Sequence, residues 1–251
     1  MAEKYPRQIT FESLANFRDL GGYRTYNGRT VAWRRLFRCG DLRHMTQSDF
    51  KKLKEEIKLA TVIDLRSAQE IERHGVGLVS EADVRYHSVP FIAGTSRAED
   101  EKLFRQCKNM GEFYLHIVRH KNFGGQIIAA LEIIAERENH PLVFYCAVGK
   151  DRTGILASML LSVIGVQDAD IIEDYSLSGP YMEKLLQLIN SHPKMAEGAK
   201  PLPDYFWEAT PESMELFLTT LRKEYGSITG YLEFVGCQPS LVKRLERALL
   251  T

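Results

Sequence analysis

Apolar residues in this chain follow two rhythms. Short runs rich in apolar and β-branched residues stand at Thr61–Leu65, Val84–Val89 and Leu142–Cys146. Runs this short predict strands within a buried sheet. A fourth candidate strand, residues 31–38, is rich in aromatic and β-branched residues. Elsewhere the spacing is helical. Thr46 precedes apolar Phe50, Leu53 and Ile57, which predicts a capped helix. Ser67-Ala68-Gln69-Glu70 has the form of a capping box directly after a strand. Residues 123–138 carry helical periodicity and lead through Pro141 into the third strand. Thr210-Pro211-Glu212 and Gln238-Pro239-Ser240 each set Pro in the first turn of a further helix, the second running to Leu250.

Strands alternating with helices predict an α/β fold: a central, mostly parallel sheet flanked by helices on both faces, followed by a helical C-terminal third. Residues 190–203, rich in Pro, Gly, Lys and Ala, read as a loop. They do not force a boundary, so residues 1–251 are expected to form a single domain, with a candidate helical lid within 170–225.

Composition narrows the function classes. The chain is 44% hydrophobic and 26% charged, ordinary for a soluble globular protein. Lys plus Arg equals Asp plus Glu at 33 each, so no global field draws it to nucleic acid or an anionic membrane. An anionic ligand must be held by a local site. The N-terminus lacks the apolar segment of a secretory signal, and no run approaches the length of a membrane span. A cytoplasmic location follows as an expectation. Cys39, Cys107, Cys146 and Cys237 form no C-x-x-C pair and are expected to be reduced thiols. His116 and His120 are spaced as metal ligands can be, but Ile117 follows His116, so the H-E-x-x-H pattern is absent and no metal or cofactor is expected.

The informative segment is Val143-Phe144-Tyr145-Cys146-Ala147-Val148-Gly149-Lys150-Asp151-Arg152-Thr153-Gly154. A Cys and an Arg separated by five residues arise by chance roughly once in five such chains. Context supplies the specificity. An apolar strand ends at Cys146, and an apolar helix, Ile155 to Ile164 closed by Gly165, begins just after Arg152. A loop from strand to helix N-terminus turns backbone N–H groups inward, and the helix dipole adds positive potential, so the loop is an anion cradle. Ala147, Val148, Gly149, Lys150 and Thr153 are candidate substrate-binding residues on this reading. Gly149 is expected to let backbone approach the anion, and Gly154 to permit close packing. A cysteine at the base of such a cradle is expected to react as its thiolate, because a free thiol is only slightly ionised at neutral pH. The planar fork of Arg152 suits two phosphate oxygens. The Thr153 hydroxyl is placed to donate to the sulfur. The expected chemistry is in-line attack of Cys146 on phosphorus, giving a cysteinyl-phosphate that water hydrolyses.

The segment resembles the signature loop of the protein tyrosine phosphatase superfamily. More narrowly, it is similar to the bacterial and fungal tyrosine/dual-specificity phosphatases whose loop carries Gly-Lys-Asp-Arg-Thr-Gly. Residues 16–23, 36–42, 63–67 with Glu70, and 174–178 match that family's pattern as well. The resemblance implies a parallel-sheet fold and phosphoric monoester hydrolysis, with a phosphorylated protein or a phosphoinositide as the partner. It implies nothing about oligomeric state. Two positions depart from the pattern: Tyr145 stands where the family has His, and Cys39 where it has Ser.

The mobile-loop Trp-Pro-Asp motif of classical members is absent. In the similar subfamily the Asp inside the loop is a proposed proton donor, which assigns that role to Asp151. The alternative is that Asp151 only caps the helix. Asp174 and Asp204 are weaker acid candidates, reaching in from a lid. Lys150 is read either as solvated or as a contact for a second anionic group. Arg18 and Asp19 either belong to a plain turn or brace the site, and Arg66 and Glu70 are expected to form a local ion pair. Residues 97–108 read either as a solvated helix or as part of a lid over the pocket. Two alternative functions stay open: a phospho-ligand-binding module without turnover, and a related thiolate enzyme such as an arsenate reductase, which would need a resolving Cys nearby.

Overall fold

The computed structural model describes residues 5–91, 97–192 and 202–251. Five strands form one sheet: β1 (Arg18–Asp19), β2 (Leu36–Cys39), β3 (Thr61–Asp64), β4 (Arg85–Ser88) and β5 (Leu142–Tyr145). Their spatial order is β1-β2-β5-β3-β4. Only β1 runs antiparallel, against β2, and the other pairings are parallel. The last strand to form in sequence therefore sits in the middle, and its neighbours were laid down on either side of it. Side chains along β5 alternate between two cores: Leu142 and Phe144 enter one, Val143 and Tyr145 the other. That burial on both faces is why β5 reads as a continuous apolar run.

Helices cover the sheet. α1 (Gln47–Lys52) starts on a capping box between Thr46 and Asp49 and ends in one turn of π-helix, Leu53–Ile57. α2 (Ala68–His74) starts on the capping box of Ser67 and Glu70. α3 (Arg97–Gln106), α4 (Met110–Arg119) and α5 (Phe123–Ala135) precede β5. α6 (Asp151–Val163) follows it and is buried along most of its length, as an apolar central helix must be. α7 (Asp168–Ser176), α8 (Gly179–Asn190), α9 (Pro211–Tyr225), α10 (Ile228–Phe234) and α11 (Pro239–Leu249) complete the helical C-terminal third. In α11, buried Leu241, Leu245, Ala248 and Leu249 form one stripe against exposed charges. Among the described residues, no helix is long and apolar enough to cross a membrane.

Most of the sequence-predicted elements appear, with two adjustments. The strand expected over residues 31–38 is confined to Leu36–Cys39. Arg34 adopts φ 63°, which breaks the extended backbone, and its amide donates to Asp19 Oδ2 at 2.8 Å. The expected loop at 190–203 begins after α8, and its residues 193–201 lie outside the described ones. The expected helix at 97–108 is α3, whose Phe104 is buried in the core rather than solvated.

β2, β5 and β3 end level with one another: Cys39 and Asp64 both stand opposite Tyr145. In open parallel sheets the crevice outside such carboxyl ends is where ligands are held. The segment after β5 opens into that crevice.

Candidate active site

β5 stops at Tyr145 and α6 starts at Asp151, so Cys146 to Lys150 form the connecting loop. Cys146 is 2% exposed at its base. Each carbonyl from Ala147 to Lys150 has a donor. Ala147 O accepts from Asp41 N at 3.3 Å, and Val148 O from Asn16 Nδ2 at 3.1 Å. Gly149 O accepts from Arg38 Nη2 at 2.8 Å, and Lys150 O from Gly154 N at 2.7 Å. The amides of residues 147–152, by contrast, have no acceptor among the described residues. Buried backbone donors need partners. A run of unpaired amides beside a helix N-terminus is what an anion would complete.

The donors that fix these carbonyls are themselves fixed. Asn16 takes φ 60°, and its Nδ2 also donates to Ser178 Oγ at 3.2 Å. Arg18 donates to Asn16 Oδ1, and through Nε to Asp174 Oδ1 at 2.9 Å. Arg38 Nη1 meets the other oxygen, Asp174 Oδ2, at 2.5 Å. Burial would raise the Asp174 carboxyl, but the two guanidiniums win and hold it at about 2. Asp174 is 1% exposed. It is therefore a clamp between arginines, and the expectation of an acid reaching in from a lid fails for this residue. The open question for Arg18 resolves toward bracing the loop.

Arg152 projects from the first turn of α6. Its Nη1 and Nη2 donate to Glu70 Oε2 at 2.6 Å and Oε1 at 2.9 Å. Glu70 occupies one edge of the guanidinium and leaves three of its five N–H groups, including the Nε edge, for another anion. Burial opposes the Glu70 charge, yet the Arg152 hydrogen bonds and charge lower its carboxyl to about 2. The expected Arg66–Glu70 pair is not formed. Glu70 Oε2 also accepts from Ser67 N at 2.8 Å, and this capping box aims the carboxylate at Arg152. Arg66 instead pairs with Asp64 at 2.7 Å and Asp41 at 3.2 Å. Tyr145, in place of the family's His, joins that same network. Its hydroxyl donates to Asp64 Oδ2 at 2.5 Å and accepts from Arg66 Nη2 at 3.0 Å.

The remaining loop residues depart from expectation in three ways. Lys150 is fully buried, so neither solvent nor a second anion meets its ammonium. Nζ donates to the carbonyls of Phe206 and, at 2.9 Å, Glu208, and lies 3.4 Å from Asp151 Oδ1. Thr153 is buried with Oγ1 unpartnered among the described residues, so the expected hydrogen bond to sulfur is not made here. Asp151 does not cap α6. Its Oδ1 accepts from Tyr114 Oη at 2.7 Å, and Tyr114 had no signal in the sequence beyond its place on an apolar helix face. Asp204, the other weak acid candidate, is exposed.

Cys39 ends β2 behind the loop, its carbonyl facing Gly149. Burial pushes the Cys39 thiol well above its ordinary value, and charge on Cys146 adds to that. Burial opposes the charged forms of Arg38, Lys150 and Arg152, whereas negative charge on Cys146 favours all three. All four cysteines are free.

Gly149 is required for a reason the sequence reading did not supply. It takes φ 76°, and a Cβ there would lie 2.3 Å from Cys39 O. The constraint comes from β2 behind the loop rather than from an anion in front. Gly149→Ala is expected to combine backbone strain of about 1–3 kcal/mol with that clash and to deform the cradle. Aryl phosphate kinetics alongside thermal melting should show kcat/KM down about 100-fold, with a lowered Tm. A variant within twofold of the parent on both counts would contradict this account.

A family model described as "Tyrosine phosphatase family" matches residues 9–251. A tyrosine-protein phosphatase of Nostoc commune is 27% identical over 217 residues, which span 83% of this chain and 72% of that protein. The triple specificity protein phosphatase PtpB of Mycobacterium tuberculosis is 24% identical over 272 residues, 94% of this chain and 96% of that one. The solved core catalytic domain of the PP-IP phosphatase SIW14 from S. cerevisiae overlaps 59% of this chain and 72% of that one at 19% identity, with a TM-score of 0.36. With the match running from the N-terminal brace through the loop to the last helix, this chain belongs to the tyrosine phosphatase family.

Proposed function

We propose that the chain is a cysteine-dependent phosphoric monoester hydrolase acting on phosphotyrosine, with dual specificity, through a cysteinyl-phosphate intermediate. The observation that carries this reading is the loop in which every carbonyl from Ala147 to Lys150 is drawn outward while the amides of 147–152 stay unpaired. Cys146 is the nucleophile at its base. Phosphate lies against those amides and the free edge of Arg152, which spreads over two of its oxygens. The Cys146 thiolate forms a P–S bond as the P–O bond to the leaving group breaks, and Asp151 gives its proton to the departing oxygen. Asp151 then takes a proton from water, the water oxygen attacks phosphorus, and the P–S bond breaks to return the thiolate and release inorganic phosphate. Lys150 holds the loop to the 206–208 segment in this scheme, and Thr153 Oγ1 turns to the sulfur as it becomes the leaving group. No metal enters any step.

Breadth of substrate is supported by the triple specificity for which the M. tuberculosis relative is named. A parallel assay of a phosphotyrosine peptide, a phosphoserine peptide and phosphoinositide vesicles tests the reading. The expected result is fastest turnover of phosphotyrosine, with vanadate inhibiting all activity. A preference for the vesicles would make the chain a phosphoinositide phosphatase. Phosphate binding without turnover of any substrate would leave a phospho-ligand-binding module.

A further inference from the structure

The mechanism above uses Asp151 but not the two buried tyrosines beside it. Tyr114 on α4 is fully buried, and Tyr175 on α7 is 1% exposed. Their hydroxyl oxygens lie 2.7 Å apart, and Tyr114 Oη is also 2.7 Å from Asp151 Oδ1. The direction of the chain follows from proton count. A carboxylate only accepts and each phenol has one proton, so Tyr114 donates to Asp151 and Tyr175 donates to Tyr114. The rings are locked. Tyr114 packs edge-on against Tyr175, with centroids 5.9 Å apart at 85°, and against Phe217 at 6.0 Å and 89°.

Asp151 uses its two oxygens differently. Oδ1 takes the Tyr114 hydroxyl and lies 3.4 Å from Lys150 Nζ. Oδ2 has no hydrogen bond among the described residues. A proton on Asp151 therefore belongs on Oδ2, and adding or removing it leaves the bond from Tyr114 to Oδ1 intact.

We infer that Tyr114, backed by Tyr175, is a positioning residue for proton transfer: it holds the Asp151 carboxyl in one orientation, with Oδ2 presented to the leaving group, through both half-reactions. This rests on the reading of Asp151 as the proton donor. Buried tyrosine hydroxyls need a partner in any case, so the test must register proton donation and not merely folding. Donation matters little for a leaving group that departs readily as an anion and a great deal for one that does not. The readout is the ratio of kcat/KM for 2,4-dinitrophenyl phosphate to that for phenyl phosphate, because kcat/KM reports the step that forms the phosphoenzyme.

Asp151→Asn should widen this ratio about 100-fold, the lower end of what general acid catalysis supplies. Tyr114→Phe should widen it about tenfold, which is what one lost hydrogen bond of about 1.4 kcal/mol produces. Tyr175→Phe leaves the Tyr114 bond in place and should widen it about threefold; it stands in should Tyr114→Phe fail to fold. If Asp151→Asn widens the ratio while a folded Tyr114→Phe or its stand-in does not, the tyrosine inference falls and the proton-donor assignment survives. If Asp151→Asn leaves the ratio unchanged, both fall together.

Discussion

Cys146→Ser is expected to lower kcat/KM for an aryl phosphate by about four orders of magnitude or more, while phosphate binding persists. Removing the nucleophile of a covalent mechanism costs this much in comparable hydrolases. A serine hydroxyl keeps its proton at neutral pH, and Asp151, which carries its own proton in the first step of the scheme, is not free to remove it. The anion-binding parts are untouched by the change: the amides of 147–152, the N-terminus of α6, and the free edge of Arg152. Loss of negative charge at the base of the cradle removes a repulsion, so the Kd for inorganic phosphate should stay within about threefold of the parent or tighten. Calorimetry and a discontinuous phosphate-release assay measure the two quantities. Residual activity within tenfold of the parent would remove Cys146 from the chemistry and the cysteinyl-phosphate with it.

The second large effect concerns stability. Asp174 neutralises Arg18 and Arg38 in a region where none of the three meets solvent. Asp174→Asn leaves two buried guanidiniums without their countercharge, and breaking a buried pair in this way costs about 3–5 kcal/mol. Urea unfolding should register that loss, and kcat/KM should fall as well because Arg38 positions Gly149 O. The pH dependence has a definite sign. The folded-state pKa of Asp174 is about 2, as is that of Glu70. Both lie below the ordinary carboxyl range near 4. The stability they confer is therefore complete above about pH 4 and is lost as pH falls toward 2. Asp174→Asn should flatten that acid limb, and a variant that loses less than 1 kcal/mol and keeps the parent's acid limb would refute the clamp.

How much of this was legible in the sequence depends on how far apart the interacting residues lie. The core of the site was readable because it is local. The strand Leu142–Tyr145, the loop and α6 are contiguous, and an apolar run turning into an apolar helix through a Cys-to-Arg spacing is visible without knowing the fold. The capping boxes at Thr46 and Ser67 were readable for the same reason. What supports the loop was not. Glu70 and Arg152 are 82 residues apart, and Arg18 and Asp174 are 156 apart. No periodicity reports on such pairs. The Arg66–Glu70 pairing assumes helical i, i+4 spacing, but Arg66 precedes α2 and turns back to Asp64, two residues earlier, and to Asp41. Asp174 looked like a free acid because its two partners come from β1 and β2. Lys150 reads as solvated or as a contact for a second anion because nothing local places the carbonyls of Phe206 and Glu208 over it. Tyr114 carried no chemical signal at all, since an aromatic on a buried helix face is ordinary packing.

The Glu70 carboxylate serves two masters. One of its oxygens closes the opening turn of α2 on Ser67, and the pair of them steadies Arg152 on the far side of the crevice. Whether that short helix has wound its first turn thus becomes a condition for where the guanidinium points. Fraying there would swing the carboxylate away and release the arginine to wander, so unwinding of a seven-residue surface helix would reach the crevice without any displacement of the loop itself.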